Sequence, residues 1–158
     1  MARMLSKTIF ALFVAAAHVL EHASPDERRL FSADDALSIA RDVREGVPEP
    51  AWADEQDFLL EQAWEEGRWR VSPLGSNDAG AACGVVQINR WQIPEGLGTC
   101  EELRASRVAA FRAWHAMFAA TLTRCGSVRS ALGAIMSTGK CGAVPKLVAR
   151  RCARSGAC

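Results

Sequence analysis

Apolar residues in this chain recur at three- and four-residue intervals, and no stretch alternates convincingly with period two, which predicts a mainly α fold. Ser32 opens one segment as an N-cap, with Asp35 three residues on, and Ala36, Leu37, Ala40 and Val43 then keep helical spacing over 33–45. Gly46-Val47-Pro48-Glu49-Pro50 cannot continue a helix and reads as a linker. A second helix is expected over 53–66, its first turn holding Asp54, Glu55 and Asp57 as the helix dipole favours, with Gly67 as its stop. Periodicity then disappears from Gly67 to Pro94, where Pro73, Gly75, Asn77, Gly80 and Gly84 form turns. A loop of that length in a compact domain is usually functional. Helical spacing returns in Leu103, Val108, Phe111, Trp114, Phe118 and Leu122, predicting a core helix over 101–124. Ser127 can cap a helix carrying Val128, Ala131, Leu132, Ile135 and Met136, and Val144, Leu147, Val148, Arg151 and Cys152 repeat those offsets in a last one.

The N-terminus has a different pattern. Arg3 and Lys7 precede an uninterrupted apolar run from Ile9 to Ala17, extended with one His to Leu20. A basic region followed by a short apolar region reads as a signal peptide, cut between Ala17 and Ser24. The run is shorter than the roughly 20 apolar residues a bilayer-spanning helix needs, so no stable membrane anchor is expected after cleavage. The alternative is a buried N-terminal helix. The expected organisation is a leader over 1–23, a helical extension with its linker over 24–50, and one main domain over 51–158.

Composition narrows the function. The chain has 158 residues, 49% hydrophobic and 23% charged, which suits a single domain with a real core. Its net charge of +1 leaves no basic surplus for a run of phosphates, so nucleic acid is not an expected partner. Removing the leader leaves equal numbers of basic and acidic residues. All six cysteines lie beyond the leader, and an even number in an oxidising compartment implies three disulfides. Spacing suggests Cys83 with Cys100 and Cys125 with Cys141. No CxxC pair occurs and His115 is the one histidine outside the leader, so neither a zinc site nor any other cofactor is expected.

One acid stands in an awkward place. On a helical wheel Phe58, Leu59, Leu60, Ala63 and Trp64 define a broad apolar arc, and Glu66 falls inside it beside Leu59 and Ala63, whereas Glu65 falls nearly opposite. Apolar surroundings disfavour a charged carboxyl and keep a proton available, which is what a general acid acting on a glycosidic oxygen requires. A frayed, partly solvated helix end is the plainer reading of the same position.

The run Glu66-Gly67-Arg68-Trp69, then Ser72-Pro73, then Gly84-Val85-Val86-Gln87-Ile88-Asn89 resembles the lysozyme-like lytic transglycosylase domain, whose pattern is a catalytic Glu, a small residue, any residue, an aromatic, then a Ser-Pro and a Gly-x-x-Gln loop. Glu66 and Gln87 are 21 residues apart, nearer the spacing of the related goose-type lysozymes; counting from Glu65 instead keeps that neighbour as an alternative. Ser130-Ala131-Leu132-Gly133-Ala134 with Ser137-Thr138-Gly139 is similar to the family's cleft-lining segment. The likeness covers about 51–152. Where the family has a Tyr that positions the Glu, this chain has Ile135 or Met136, and it contains no Tyr; Gly67 replaces a Ser, and Val85-Val86 replace Leu-Met.

The resemblance implies a lysozyme-like, disulfide-stapled fold and a secreted or periplasmic monomer that cleaves peptidoglycan glycan strands at the β-1,4 bond between N-acetylmuramic acid and N-acetylglucosamine. Glu66 would be the single catalytic residue. Trp69, Asp78, Gln87 and Asn89 would bind substrate, Trp69 by stacking on a sugar and the amides by meeting N-acetyl groups. Asp78 could instead orient a water, giving a lysozyme-type hydrolase, or be a turn residue, and a non-catalytic glycan- or protein-binding domain is the reading from another class. Trp64 and Trp91 are further stacking candidates, and Trp114 is core. His115 has no evident acidic partner, and Arg150, Arg151 and Arg154 read as a solvated helix face.

Overall fold

The structure, a computed structural model, describes residues 6–71, 81–142 and 144–158. Among these described residues it is mainly helical, with eight α-helices, 65% helix and one tiny sheet. The helices are α1 (Ile9–Glu21), α2 (Pro25–Arg29), α3 (Ala33–Gly46), α4 (Glu55–Gly67), α5 (Cys100–Ala105), α6 (Arg107–Cys125), α7 (Val128–Gly133) and α8 (Lys146–Ser155). Strands β1 (Ala82–Cys83) and β2 (Ile88–Asn89) form an antiparallel hairpin inside the long irregular segment, and a π-helical turn over Ala134–Thr138 extends α7.

Local chemistry sets most boundaries. Ser32 and Asp35 form the expected capping box on α3, and Thr99 with Glu102 forms another on α5. The helix expected over 101–124 is divided at Ser106, whose extended backbone (φ −143°) ends α5 while its hydroxyl caps α6 by accepting from Ala109 N. Gly67 is the last residue of α4 and not its stop; Arg68 takes the left-handed conformation that ends the helix.

One apolar cluster runs from Leu12 to Ala157. Its centre is α6, where Phe111, Trp114 and Phe118 are buried and the rings of Trp114 and Phe118 stack at 5.2 Å beside Trp52 and Phe58. Helix α3 packs into the same core: Ile39, Ala40 and Val43 are buried, and Gly46 comes so close to α6 that a Cβ would stand 2.6 Å from that of Phe111. Arg107 fastens the same two helices, pairing with Asp42 at 2.6 Å and donating to Ser38 Oγ at 2.6 Å.

The apolar run near the N-terminus forms α1, with Leu12, Ala16 and Val19 in the core. Polar contacts anchor its start. The buried Gln56 side chain accepts from Lys7 N at 2.9 Å and donates to Ser6 Oγ at 2.7 Å and Val47 O at 2.9 Å, while Lys7 Nζ pairs with Asp54 and Asp57. No helix among the described residues is long and apolar enough to cross a membrane. All six cysteines are paired, as Cys83–Cys100, Cys125–Cys141 and Cys152–Cys158.

Candidate active site

Helix α4 carries the candidate acid in its last turn. Arg68 (φ 54°) and Trp69 (φ 59°) follow with positive φ, a conformation that costs non-glycine residues of order 1–3 kcal/mol each. The turn persists because its groups are all engaged. Arg68 N donates to Trp64 O at 2.8 Å and Trp69 N to Ala63 O at 3.2 Å, closing the helix end. The Arg68 side chain donates to Glu27 at 2.6 Å and lies over the Trp64 ring, and Trp69 O accepts from Arg107 at 3.2 Å. That hydrogen bond from Arg68 pushes the Glu27 carboxyl down to about 2.

This turn corrects the expectation for Trp69. Its indole is folded back on α4, donating to Leu60 O at 2.9 Å and packing edge-on against Trp64 and Phe31, and only 3% of the residue is exposed. Trp69 therefore offers no sugar platform, and Trp64 is buried with it; Trp91, 76% exposed, is the accessible ring of the three. Asp78 lies outside the described residues, as do Ser72 and Pro73.

Glu66 opens onto a cavity of about 110 Å³ that Gln87 and Asn89 of the hairpin also line. Its walls come from Val86 and Ile88, Met117 on α6, Ile135 and Met136 on the π-helical turn, and Leu147 on α8. Glu66 is the one carboxylate among the described residues lining it. The hairpin is held against α5 and α6 by two devices. Gly84 (φ 70°) sits where a Cβ would stand 2.7 Å from Leu103 O and 2.9 Å from Ala110 Cβ, and the Cys83–Cys100 bond ties β1 to α5. Gln87 itself has positive φ and donates its amide to Gly84 O at 2.8 Å, and Asn89 donates to Gln92 at 2.9 Å. These side chains thus tie their own loop and face the cavity at once.

The immediate surroundings of Glu66 differ from the apolar ones expected. Its Oε1 accepts from Gln62 Nε2 at 3.2 Å and pairs with Arg151 Nη2 at 2.8 Å; Arg151 also donates to Gln62 Oε1. Arg151 is only 5% exposed, so it does not belong to a solvated helix face. The apolar arc of the wheel is real, but a neighbouring helix inserts a guanidinium into it.

Glu65 points elsewhere. It pairs with Arg154 on a second cavity of about 270 Å³, shared with Glu61, Arg68 and Arg150 and away from the Gln87 loop. Burial pushes the Glu61 carboxyl up, against the pull of Arg154. His115 also proves to have a partner, the buried Glu55, whose Oε1 lies 2.8 Å from Nδ1 while Oε2 accepts from Ala51 N. That hydrogen bond raises the imidazole above its usual 6.5, although partial burial opposes it. No group of three or more His, Cys, Asp or Glu residues suited to a metal occurs among the described residues.

The chain was compared with protein family models, curated proteins and solved structures, and none of the three comparisons gave a match.

Proposed function

We propose that this protein is an exported lytic transglycosylase that cleaves the β-1,4 bond between N-acetylmuramic acid and N-acetylglucosamine in peptidoglycan, with Glu66 as its one acid and base. The observation carrying this reading is the cavity shared by Glu66, Gln87 and Asn89, the residues that carry the motif resemblance. A hydrolase of the usual kind needs two carboxyl groups flanking the bond. One carboxyl suffices when the sugar supplies its own nucleophile. Protonated Glu66 gives its proton to the glycosidic oxygen, and the C1–O bond breaks. The same carboxylate then takes the proton of the C6 hydroxyl as that oxygen bonds to C1, closing a 1,6-anhydro ring and restoring the acid without consuming water. The amides of Gln87 and Asn89 suit the N-acetyl groups of such a strand. Three disulfides support an oxidising compartment.

The test is Glu66→Gln, nearly isosteric but unable to exchange the proton. Loss of cell-wall lysis by a folded variant is expected, and anhydro-muramic ends should appear in mass spectra of wild-type digests. Reducing ends would reassign the protein as a hydrolase. Undiminished lysis by the variant would remove Glu66 from the mechanism, and wild-type protein that binds strands without cutting them would make it a glycan-binding domain.

A further inference from the structure

Arg151 combines burial, charge and position in a way that folding alone does not require. Removing a guanidinium from water costs several kcal/mol unless it is paired and hydrogen-bonded. Arg151 is nine-tenths buried and more, yet its Nε has no hydrogen-bond partner among the described residues. Its partners point one way: Nη2 forms an ion pair with Glu66 Oε1, and Nη1 donates to Gln62 Oε1. Gln62, itself buried, donates its amide to the same Glu66 oxygen. The Gln62 hydrogen bond and the Arg151 ion pair therefore both fall on Oε1, and no hydrogen bond from a described residue reaches Oε2.

We propose that Arg151 and Gln62 are positioning residues that grip Oε1 of Glu66, so that Oε2 is the oxygen presented for proton transfer in the adjoining cavity. The inference rests on the transglycosylase reading and adds to it a division of labour between the two carboxylate oxygens. A carboxylate on the last turn of a helix has three rotatable side-chain torsions, and a hydrogen bond and an ion pair on one oxygen restrict that freedom before substrate arrives. The donors come from different places. Gln62 is one helical turn back on α4, while Arg151 is brought by α8, whose far end is tied by the Cys152–Cys158 bond and by Arg129 Nε donating to Cys158 O at 2.9 Å. The neighbouring Arg154, on the same helix, serves Glu65 and Glu61 and makes no ion pair with Glu66 among the described residues.

The experiment compares wild type, Glu66→Gln, Arg151→Met, Arg151→Lys and Gln62→Leu on a soluble muropeptide oligomer, with folding checked by circular dichroism and rates expressed per folded molecule. Arg151→Met is expected to lower kcat by about 10- to 100-fold with KM nearly unchanged, the scale at which loss of orientation slows an enzyme. Arg151→Lys should recover part of that loss, since an ammonium can reach Oε1 but cannot fork to Gln62 as well. Gln62→Leu should lower kcat in the same sense. A purely structural role predicts instead a lower Tm with kcat per folded molecule unchanged, and that result would overturn the proposal. Turnover abolished in Glu66→Gln but unaffected in Arg151→Met refutes the positioning role and leaves the transglycosylase reading standing. Absence of turnover in wild type, or full turnover in Glu66→Gln, overturns both.

Discussion

The N-terminal helix allows a sharp energetic test, because two of its apolar residues have opposite fates. Leu12 is fully buried between α1 and the body of the protein, whereas Phe10, larger and two residues earlier, is 74% exposed. Leu12→Ala removes three carbon atoms, worth about 2.4 kcal/mol in transfer at roughly 0.8 kcal/mol per methylene. The cavity left behind adds to this, and buried Leu→Ala changes span about 2–5 kcal/mol. For a chain of this size each kcal/mol moves Tm by about 2–4 °C, so a loss of about 3 kcal/mol should lower Tm by about 6–12 °C. Phe10→Ala should stay within about 0.5 kcal/mol of wild type. The assay is thermal and urea unfolding of the full 158-residue chain, monitored by tryptophan fluorescence, with the intact mass recorded so that the residues present are known. Leu12→Ala no more destabilising than Phe10→Ala in a chain that retains residues 1–23 would refute the argument that α1 is part of the core. A mature mass beginning between Ala17 and Ser24 would instead identify the segment as a leader that leaves.

Other outcomes follow from the same contacts. The Glu55–His115 hydrogen bond raises the imidazole pKa, so its stabilisation is fully present below about pH 6.5 and declines as pH rises through the higher folded-state value. His115→Gln should remove that part of the Tm–pH curve, and an unchanged curve would show the pair to be inert. Gly84→Ala combines a strained φ with contacts under 3 Å to Leu103 O and Ala110 Cβ, and should cost at least about 1–3 kcal/mol in denaturant unfolding while reducing lysis through the Gln87 loop. A stable, active variant would mean the hairpin is not held there. Replacing Cys83 and Cys100 together by Ser opens a link of sequence separation 17 and should cost about 3 kcal/mol, measured by the same unfolding.

What the sequence discloses depends on how local each cause is. The capping box of Ser32 and Asp35 spans three residues, and the helix it announces lies where expected. Ser106 carried an equally local capping signal, but a continuous apolar stripe from Leu103 to Leu122 masked the break, since two abutting helices can share one stripe. The pairings of Cys83 with Cys100 and Cys125 with Cys141 were legible because short loops close most easily. Contacts across long separations left no such trace. His115 meets an acid 60 residues away, Lys7 meets Asp57 50 residues away, and Arg151 meets Gln62 89 residues away. Arg151 looked solvated because its helix is strongly amphipathic and its partner lies on another helix. Trp69 occupied the motif position of a sugar contact, but its ring direction is decided by two successive left-handed residues that no composition rule anticipates. An apolar run of modest length has the same pattern in a leader and in a buried helix, so α1 became visible only through its tertiary partners.

The order of the disulfides has a consequence for how the chain is made. Six cysteines allow fifteen pairings, and the one adopted joins the first cysteine to the second, the third to the fourth and the fifth to the sixth, across separations of 17, 16 and 6. Every bridge can therefore form from a segment already synthesised, without waiting for a distant partner and without crossing another bridge. Random closure also favours these short loops over longer ones. Oxidation proceeding from the N-terminal side would reach this set without a wrong pair that must be undone. The protein is thereby suited to compartments that supply an oxidant but little disulfide isomerase.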